Sequence, residues 1–416
     1  MKKIWAGIFV MACATSPAFA QSGIPQSAST QSADKLWEAI FNSQTSYYSW
    51  KSTAIYPPNP FPCCAASGSS KGQQVFNPFG LQINGKPNDD WRLEALVRSG
   101  YVWSRQTSGA ISGEYSGFTD TTVGATVTYN GFNGVQPFAS INVNLPTGET
   151  VFRGSSTFAK ADSDVVKIPS FGEGLNIGPT LGINIALNSS TIFSTGIGYT
   201  MRGPFDRDGD LGFLGPAPVQ RMDPGDVLTG NASIAYRGER LSMSASISYS
   251  TESTTTRNSI DFYKAGDRIF AAAGIGYAWT ENWASTLTGS FSHFSKNKNN
   301  VGPFPAPLVL EPFNTNSDVT TANFDTTYTQ GGFSIGPSFR FLYRSNNAYN
   351  PLTFAFLPSK TLWSAGAAAQ YAVTNQASFN FRVERMWLHE HEKPLVLIPN
   401  VYTDAWLVTL GGILKF

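Results

Sequence analysis

The chain has 416 residues, and its 29 Lys and Arg nearly balance its 28 Asp and Glu, which excludes a polybasic nucleic-acid-binding protein and a protein with an acidic tail. Only 14% of the residues are charged, although a soluble globular domain carries about 25%, so the side chains of an ordinary soluble surface are missing. The mean hydropathy of −0.14 does not fit a bundle of membrane helices either, because each spanning helix needs about 20 consecutive apolar residues.

The N-terminal segment has the pattern of a secretory signal peptide. Lys2 and Lys3 precede an apolar stretch over residues 4–14, and Ala18-Phe19-Ala20 forms a small-residue cleavage site. We therefore predict that residues 1–20 are removed during export and take no part in the fold.

Residues 21–90 lack regular alternation, and we predict that they form a short, mostly irregular plug or hatch segment. Within this segment Leu36, Trp37, Ile40 and Phe41 recur at helical spacing. This spacing predicts one short amphipathic helix over residues 33–41, with Ser32 as its N-cap.

Two adjacent cysteines, Cys63 and Cys64, lie in a Pro-rich stretch of the same segment. An exported chain meets an oxidising compartment, where a free dithiol does not persist. A vicinal disulfide is the first interpretation, and intermolecular pairing or metal capture are the alternatives.

From residue 91 to the C-terminus, apolar side chains alternate with small or polar ones. The clearest case is the stretch 241–249, in which Leu, Met, Ala, Ile and Tyr alternate with four serines. A strand of this kind has one face in an apolar medium and the other in water. Aromatic side chains gather at the strand ends, and tight turns alternate with long loops, as in an outer-membrane barrel.

Counting backwards from the C-terminus gives fourteen strands, and the weakest of them is 318–328. If that segment is a loop, twelve or sixteen strands are the alternatives. We therefore predict an all-β fold in which residues 91–416 form a transmembrane antiparallel β-barrel of about 14 strands, located in the cell outer membrane.

The quoted residues resemble Gram-negative outer-membrane β-barrels, because the last strand alternates and ends in the aromatic residue Phe416. A terminal Phe resembles the signal that the barrel-insertion machinery reads. Within this class, fourteen strands with an N-terminal hatch are similar to the long-chain fatty-acid transporter superfamily. The segment 144–149, Asn-Leu-Pro-Thr-Gly-Glu, resembles a Leu-Pro-Thr-Gly segment of phenol-degradation-pathway transporters. This resemblance implies a transporter, although no version of the superfamily's hatch motif is present.

The lumen faces of the clear strands are small and almost neutral. The charged residues that we place on the lumen side are Arg92, Glu94, Arg98, Arg340, Arg382 and Glu384. Rings of Arg or Asp, which would select ions strongly, are absent from these strands. Such a lumen favours an uncharged or aromatic solute over an anion, and the alternative is that these charges form a structural network.

The three histidines fall at the predicted extracellular strand ends. His389 and His391 share one face, and His293 ends another strand, so their neutral imidazoles are candidate ligands for a transition metal. The alternative is that all three are solvated loop residues. A hydrolase at this rim would use the same residues, with Ser292 or Ser295 beside His293.

One long loop contains Asp206, Asp208 and Asp210 at alternate positions, as at the start of a calcium-binding loop. The EF-hand position for the closing Glu holds Ala217, which excludes an EF-hand. A calcium site and solvated carboxylates are the two interpretations. Arg385 shares its parity with lipid-facing residues, and we expect it at the outer rim, within reach of lipopolysaccharide phosphates.

These observations predict a monomeric or loosely associated outer-membrane channel for passive passage of small, apolar or aromatic solutes. Its expected partners are outer-membrane lipid, lipopolysaccharide, the barrel-insertion machinery and the solute, with no nucleic acid and no cofactor. No enzymatic reaction is implied. The alternatives are a surface receptor or adhesion barrel that acts through its long loops, and the rim hydrolase.

Overall fold

The computed structural model describes residues 36–53, 69–109, 111–168, 171–207, 219–300, 306–396 and 398–416. The predicted signal peptide, Cys63 and Cys64, and Asp208 and Asp210 lie outside these residues. Within the described residues, no helix is long and apolar enough to cross a membrane.

One antiparallel sheet closes on itself into a barrel. Its strands are β1 (Trp37–Ser52), β2 (Ser70–Gly85), β3 (Trp91–Ser108), β4 (Ile111–Phe118), β5 (Thr121–Tyr129), β6 (Val135–Leu145), β7 (Asn176–Asn188), β8 (Thr191–Arg202), β11 (Val227–Arg237), β12 (Leu241–Glu252), β15 (Arg268–Ala278), β16 (Trp283–Phe294), β19 (Val319–Gln330), β20 (Phe333–Arg344), β21 (Lys360–Ala372), β22 (Ala377–Glu390) and β23 (Val401–Lys415). The strands β4 and β5 pair with the two halves of β3 and share one position, so the barrel has sixteen strand positions in the described residues. Pairing of β1 with β23 closes it.

A second, smaller sheet is built from the long loops that follow β8, β12 and β16. Its strands are β9 (Phe205–Arg207), β10 (Gln220–Asp223), β13 (Thr255–Arg257), β14 (Ile260–Lys264), β17 (Lys298–Asn300) and β18 (Leu308–Leu310). Two 3-10 helices complete the described elements, η1 (Gly154–Ala159) and η2 (Pro394–Val396). Tight turns join the strands at one end of the barrel, and the long loops lie at the other.

The exterior of the barrel is apolar. Leu181, Ile197 and Ile247 point outward and are more than half exposed, at 62%, 56% and 54%. Such side chains are stable only when lipid replaces water around them, and closure leaves no sheet edge with unpaired backbone groups. The protein is an outer-membrane β-barrel.

The predicted count of fourteen strands is wrong, and so is the predicted helix over 33–41. The weak segment 318–328 is a barrel strand, β19, and the two additional strands are β1 and β2. Both come from the segment 21–90, for which we expected a plug, and both lie in the barrel wall. Trp37 and Phe41 fit helical spacing, but they also alternate with inward residues such as Glu38. Pairing of β1 with β2 on one side and β23 on the other satisfies its backbone and decides for the strand.

The core of the molecule lies inside the barrel, where a different segment enters the lumen. Residues 146–175 connect β6 to β7, and we call them the inner loop. Two buried clusters form between this loop and inward-facing wall residues. The first joins Ala161, Val165 and Val166 to Tyr48, Trp50, Leu342, Leu362, Met386, Leu388, Ala405 and Leu407. The second joins Phe152, Ile168 and Phe171 to Phe76 and Val102.

Candidate functional site

The inner loop covers one half of the barrel interior. Its two buried clusters involve wall residues from β20 round through β23 and β1 to β3, and Tyr115 of β4 packs against the second cluster. Burying side chains such as Phe152 and Phe171, each less than 7% exposed, stabilises the docked loop by about 1.5–3 kcal/mol each. The loop is therefore a packed part of the fold that narrows the lumen.

Ion pairs fix the middle of the inner loop to two neighbouring strands. Arg344 of β20 makes a two-pronged contact with the buried carboxylate of Asp164, with Nη2 to Oδ1 at 2.6 Å and Nε to Oδ2 at 3.3 Å. Lys360 of β21 lies 2.9 Å from Asp162 Oδ2 and 3.1 Å from Glu390 Oε2. Such fork-shaped Arg–carboxylate contacts fix orientation as well as position.

Wall side chains also bind the backbone of the inner loop. Gln74 of β2 donates its Nε2 hydrogen to the carbonyl of Ile168 at 2.9 Å. Ser104 of β3 donates its hydroxyl to the carbonyl of Ala159 at 2.7 Å. Both wall side chains are fully buried, so these bonds satisfy polar groups that would otherwise be costly inside the lumen.

Asp120 holds together the two ends of the inner loop, which we call its neck. It lies in the two-residue break between β4 and β5. Its Oδ1 accepts the backbone N–H of Gly148 at 2.8 Å, and its Oδ2 accepts the backbone N–H of Glu173 at 2.7 Å. The side-chain amide of Asn144 donates to the same Oδ2 at 2.7 Å and to the carbonyl of Gly174 at 2.8 Å. One carboxylate therefore fixes where the chain leaves and re-enters the wall.

Two glycines allow the backbone of the inner loop to approach neighbouring backbone closely. A Cβ at Gly148 would overlap the carbonyl oxygen of Phe171, on the opposite side of the neck. A Cβ at Gly113 of β4 would overlap the backbone of Ser155 and of the end of η1. Only glycine lets the backbone come this near at either position. Gly148 and Asn144 belong to the segment that resembles the Leu-Pro-Thr-Gly motif.

A group of charged side chains, which we call the charge cluster, faces the lumen beside the inner loop. Arg382 of β22 lies 3.0 Å from Asp325 Oδ1 and 3.0 Å from Glu384 Oε1. Glu384 is 4% exposed and also accepts the hydroxyl of Ser364 at 2.9 Å. Arg340 of β20 donates from Nη2 to the thioether sulfur of Met386 at 3.4 Å, a weak acceptor.

Lys167 of the inner loop completes the charge cluster. Burial, together with repulsion from Arg340 and Arg382, lowers the pKa of its amine to about 8, although Glu384 acts in the opposite direction. Below that pH the cluster contains three positive and two negative groups. The cluster therefore carries a small positive charge that disappears when Lys167 loses its proton.

The opposite half of the barrel interior is neutral, and we call it the neutral wall. Ser246, Ala272, Ser290 and Thr321 are successive register partners that lead to Leu342, which is buried under the inner loop. Register partners share a face of the sheet, so all of them face the lumen. Among the described residues of β8, β11, β12, β15 and β16, inward-facing charges occur only at the strand ends, where Arg202 pairs with Glu252. A polar, uncharged surface thus faces the inner loop.

The structure brings together half of the lumen residues predicted from the sequence. Arg340, Arg382 and Glu384 belong to the charge cluster, whereas Arg92, Glu94 and Arg98 lie on the inward positions of β3. Three strands, β2, β1 and β23, separate β3 from β22. Sequence reasoning missed Asp120, Asp325, Arg344 and Lys360 as site residues. Apolar runs such as Met386-Trp387-Leu388 were the available signal, because they predict a strand covered on both faces.

The structure does not bring the three predicted histidines together. His293 Nδ1 lies 2.7 Å from Asp318 Oδ1, and β19, β20 and β21 separate its strand from the strand that carries His389. His389 and His391 have ring centroids 4.5 Å apart. The part of the chain that the structure describes contains no group of three His, Cys, Asp or Glu able to hold a metal ion.

The remaining candidates have structural partners. Ser292 accepts a hydrogen bond from Arg268 Nε at 3.1 Å on the lumen face, so it points away from His293, its neighbour in the same strand. Asp206 forms an ion pair with Arg221 at 3.1 Å. Arg385 points outward, as expected, and binds Asp404. The backbone N–H of Phe416 donates to the carbonyl of Ala39 at 2.8 Å, which ties the last residue to β1.

Comparison with known proteins gives the following matches. No protein-family model matches the chain, and no curated protein matches it. Among solved structures, a bacterial polysaccharide outer membrane secretin is 9% identical with a TM-score of 0.40, over 90% of this chain and 98% of the other. A mutant of the TodX monoaromatic hydrocarbon channel is 10% identical with a TM-score of 0.44, over 91% and 90%. A Pseudomonas aeruginosa FadL homologue is 8% identical with a TM-score of 0.43, over 91% and 90%. At these identities and TM-scores, the matches assign the chain to no family.

Proposed function

We propose that the protein is a passive outer-membrane channel in which small solutes pass between the inner loop and the neutral wall. The observation that carries this proposal is the asymmetry of the lumen. Within the described residues, the buried clusters of the inner loop lie on the wall from β20 to β4, and neither cluster includes a residue of β8, β11, β12, β15 or β16. A barrel of sixteen strand positions is wide enough to leave an aqueous channel beside the loop.

The lining of the passage supports small solutes with little or no charge. Ser, Thr and Gly dominate the neutral wall, and their hydroxyl groups bind polar substituents without selecting ions. The charge cluster on the other side carries at most one net positive charge. An uncharged aromatic solute with a hydroxyl group matches both surfaces, because its ring needs no counter-charge and its hydroxyl group finds acceptors.

Planar-bilayer conductance and liposome swelling test this proposal. We expect the wild-type protein to conduct ions in small steps and to admit phenol-sized uncharged solutes. A variant in which residues 150–170 are replaced by a short Gly-Ser linker is expected to conduct in larger steps, because the lumen is then open across its whole width. Heat-modifiable migration on gels confirms that both barrels are folded. Two folded barrels that neither conduct nor admit solute would overturn the channel proposal.

A further inference from the structure

A row of five side chains crosses the outer face of the barrel near the long-loop end. Each member is the register partner of the next, and the row runs from β21 to β2: Trp363, Trp387, Asp404, Lys51 and Lys71. Register partners share a face, and Trp363 and Trp387 are exposed there at 58% and 42%. At about 4.8 Å between strands, the row extends over about 19 Å. We call it the outer-rim row.

The two lysines lie directly opposite each other, and Asp404 is the one carboxylate beside them in the row. Lys51 and Lys71 are both exposed, and neither has a carboxylate other than Asp404 beside it in the row. Among the described residues, neither lysine forms an ion pair within 4.0 Å. The connection between their strands, residues 54–69, contains no Asp or Glu in the sequence. Like charges facing each other across two strands are destabilising, so this arrangement favours a bound anion.

The single carboxylate of the row is already engaged. Arg385 binds both oxygens of Asp404, with Nε to Oδ1 at 3.2 Å and Nη2 to Oδ2 at 2.7 Å. The outer-rim row and Arg385 together therefore have three cations for one carboxylate. Arg385 also lies over the rings of Trp387 and Trp406, with its guanidinium carbon 5.4 Å and 5.6 Å from the ring centroids.

A groove of about 620 Å³ follows the row, with the two tryptophans at one end, Lys51 at the other and Asp404 between them. It is lined by Trp363, Trp387 and Tyr402 together with Lys51, and the ring of His389 stacks on Tyr402 at 4.7 Å. Tryptophan and tyrosine mark the membrane–water interface, where lipid headgroups lie. The groove thus combines a surface for acyl chains with a surface for an anionic headgroup.

We propose that the outer-rim row binds lipopolysaccharide, with headgroup phosphates on Lys51 and Lys71 and acyl chains against Trp363 and Trp387. The long-loop end is the extracellular end in an outer-membrane barrel, and the lipid of the outer leaflet there is a phosphorylated glycolipid. This site is on the outside of the barrel and does not depend on the channel proposal.

Native mass spectrometry of the purified full chain with bisphosphorylated lipid A as the probe tests the site. Each lysine near an anionic lipid surface contributes about fivefold in affinity, so K51Q/K71Q is expected to bind about 25-fold more weakly. The matched control is R237Q/R240Q, which removes two exposed cations from the short-turn end and is expected to bind like wild type. Removal of the repelling lysines leaves the barrel folded, which gel migration verifies.

Two probes separate a phosphate site from general lipid binding. Dephosphorylated lipid A is expected to bind wild type as weakly as bisphosphorylated lipid A binds K51Q/K71Q. Phosphatidylglycerol, which carries one phosphate, is expected to bind wild type more weakly than lipid A does. Equal binding of lipid A to K51Q/K71Q and R237Q/R240Q, or equal binding of phosphatidylglycerol and lipid A to wild type, would overturn the proposal.

Discussion

The substitution Asp120→Ala is expected to open the neck of the inner loop while the loop body stays docked. Asp120 accepts three hydrogen bonds there, from Gly148, Glu173 and Asn144, at 2.7–2.8 Å. Alanine leaves all three donors without their acceptor. Because the neck is partly exposed, water replaces part of what is lost, and we count about 1 kcal/mol for each bond.

The sum, about 3 kcal/mol, is smaller than the apolar contribution to docking. Five larger side chains of the loop are buried against the wall, and together they contribute about 7.5–15 kcal/mol before conformational entropy is subtracted: Phe152, Val165, Val166, Ile168 and Phe171. The substitution therefore shifts a local equilibrium at the neck and does not undock the loop. At 1.36 kcal/mol per factor of ten, about 3 kcal/mol corresponds to a population change of about 100-fold.

Hydrogen–deuterium exchange measures this change directly. Peptides that contain residues 146–151 and 171–175 are expected to lose protection by about 100-fold in D120A, because exchange reports local opening. Peptides over residues 158–168 are expected to change by less than about tenfold, since their clusters and ion pairs remain. Single-channel recordings are expected to show additional sub-conductance steps as the neck opens and closes.

The matched control is Glu149→Gln, which changes a neighbouring acid whose carboxylate accepts the N–H of Val151, at 3.2 Å, a bond that the Gln side-chain carbonyl can also accept. This variant is expected to exchange like wild type. Unchanged protection at the neck of D120A would show that Asp120 does not hold it. A uniform loss of protection along the whole loop would show that the apolar clusters do not hold the loop independently.

Three further predictions concern the neck and the charge cluster. Gly148→Ala is expected to increase exchange at the neck, because its Cβ overlaps the backbone of Phe171, whereas Gly230→Ala, where nothing lies within 4 Å, is expected to behave like wild type. Lys167 is protonated below about pH 8 and neutral above it, so the ratio of anion to cation permeability is expected to fall as the pH rises through about 8. Reversal potentials are expected to show this fall in wild type and in the control K160M, but not in K167M. A fall that persists in K167M would assign it to another group. Arg382→Gln removes the guanidinium that contacts the buried Glu384, at a cost of about 3 kcal/mol in thermal or urea unfolding. The double variant R382Q/E384Q is expected to recover most of this stability, and equal stability of R382Q and wild type would contradict this reasoning.

The barrel class could be predicted because its signal is local. Alternation along each strand shows that one face meets lipid, and the segment 318–328, assigned partly from parity, is indeed β19. The strands β1 and β2 could not be identified in the same way. We considered sixteen strands only for the case that 318–328 is a loop. Sixteen is the correct number, but 318–328 is a strand, and the two additional strands come from the N-terminal segment.

Part of the charge cluster could also be predicted from strand parity, which placed Arg340, Arg382 and Glu384 on the lumen side. Strand parity shows which face a side chain is on, but it does not show which segment of the chain lies opposite that face inside the barrel. The connection between β6 and β7 is a polar loop by composition, and no local pattern shows that it folds into the barrel. We expected a plug from the N-terminal segment, whereas among the described residues it is the inner loop that packs against the lumen wall.

The alternation along the chain was enough to predict a β-barrel with a lipid-facing exterior. A strand exposes its environment at every second residue, so a few neighbouring side chains suffice to reveal it. Three features are visible only in the folded chain: which strands close the barrel, which loop narrows it, and that Asp120 fixes that loop. These features depend on pairs such as Asp120 with Glu173, or Arg344 with Asp164, which lie 53 and 180 residues apart and meet only after the sheet has closed.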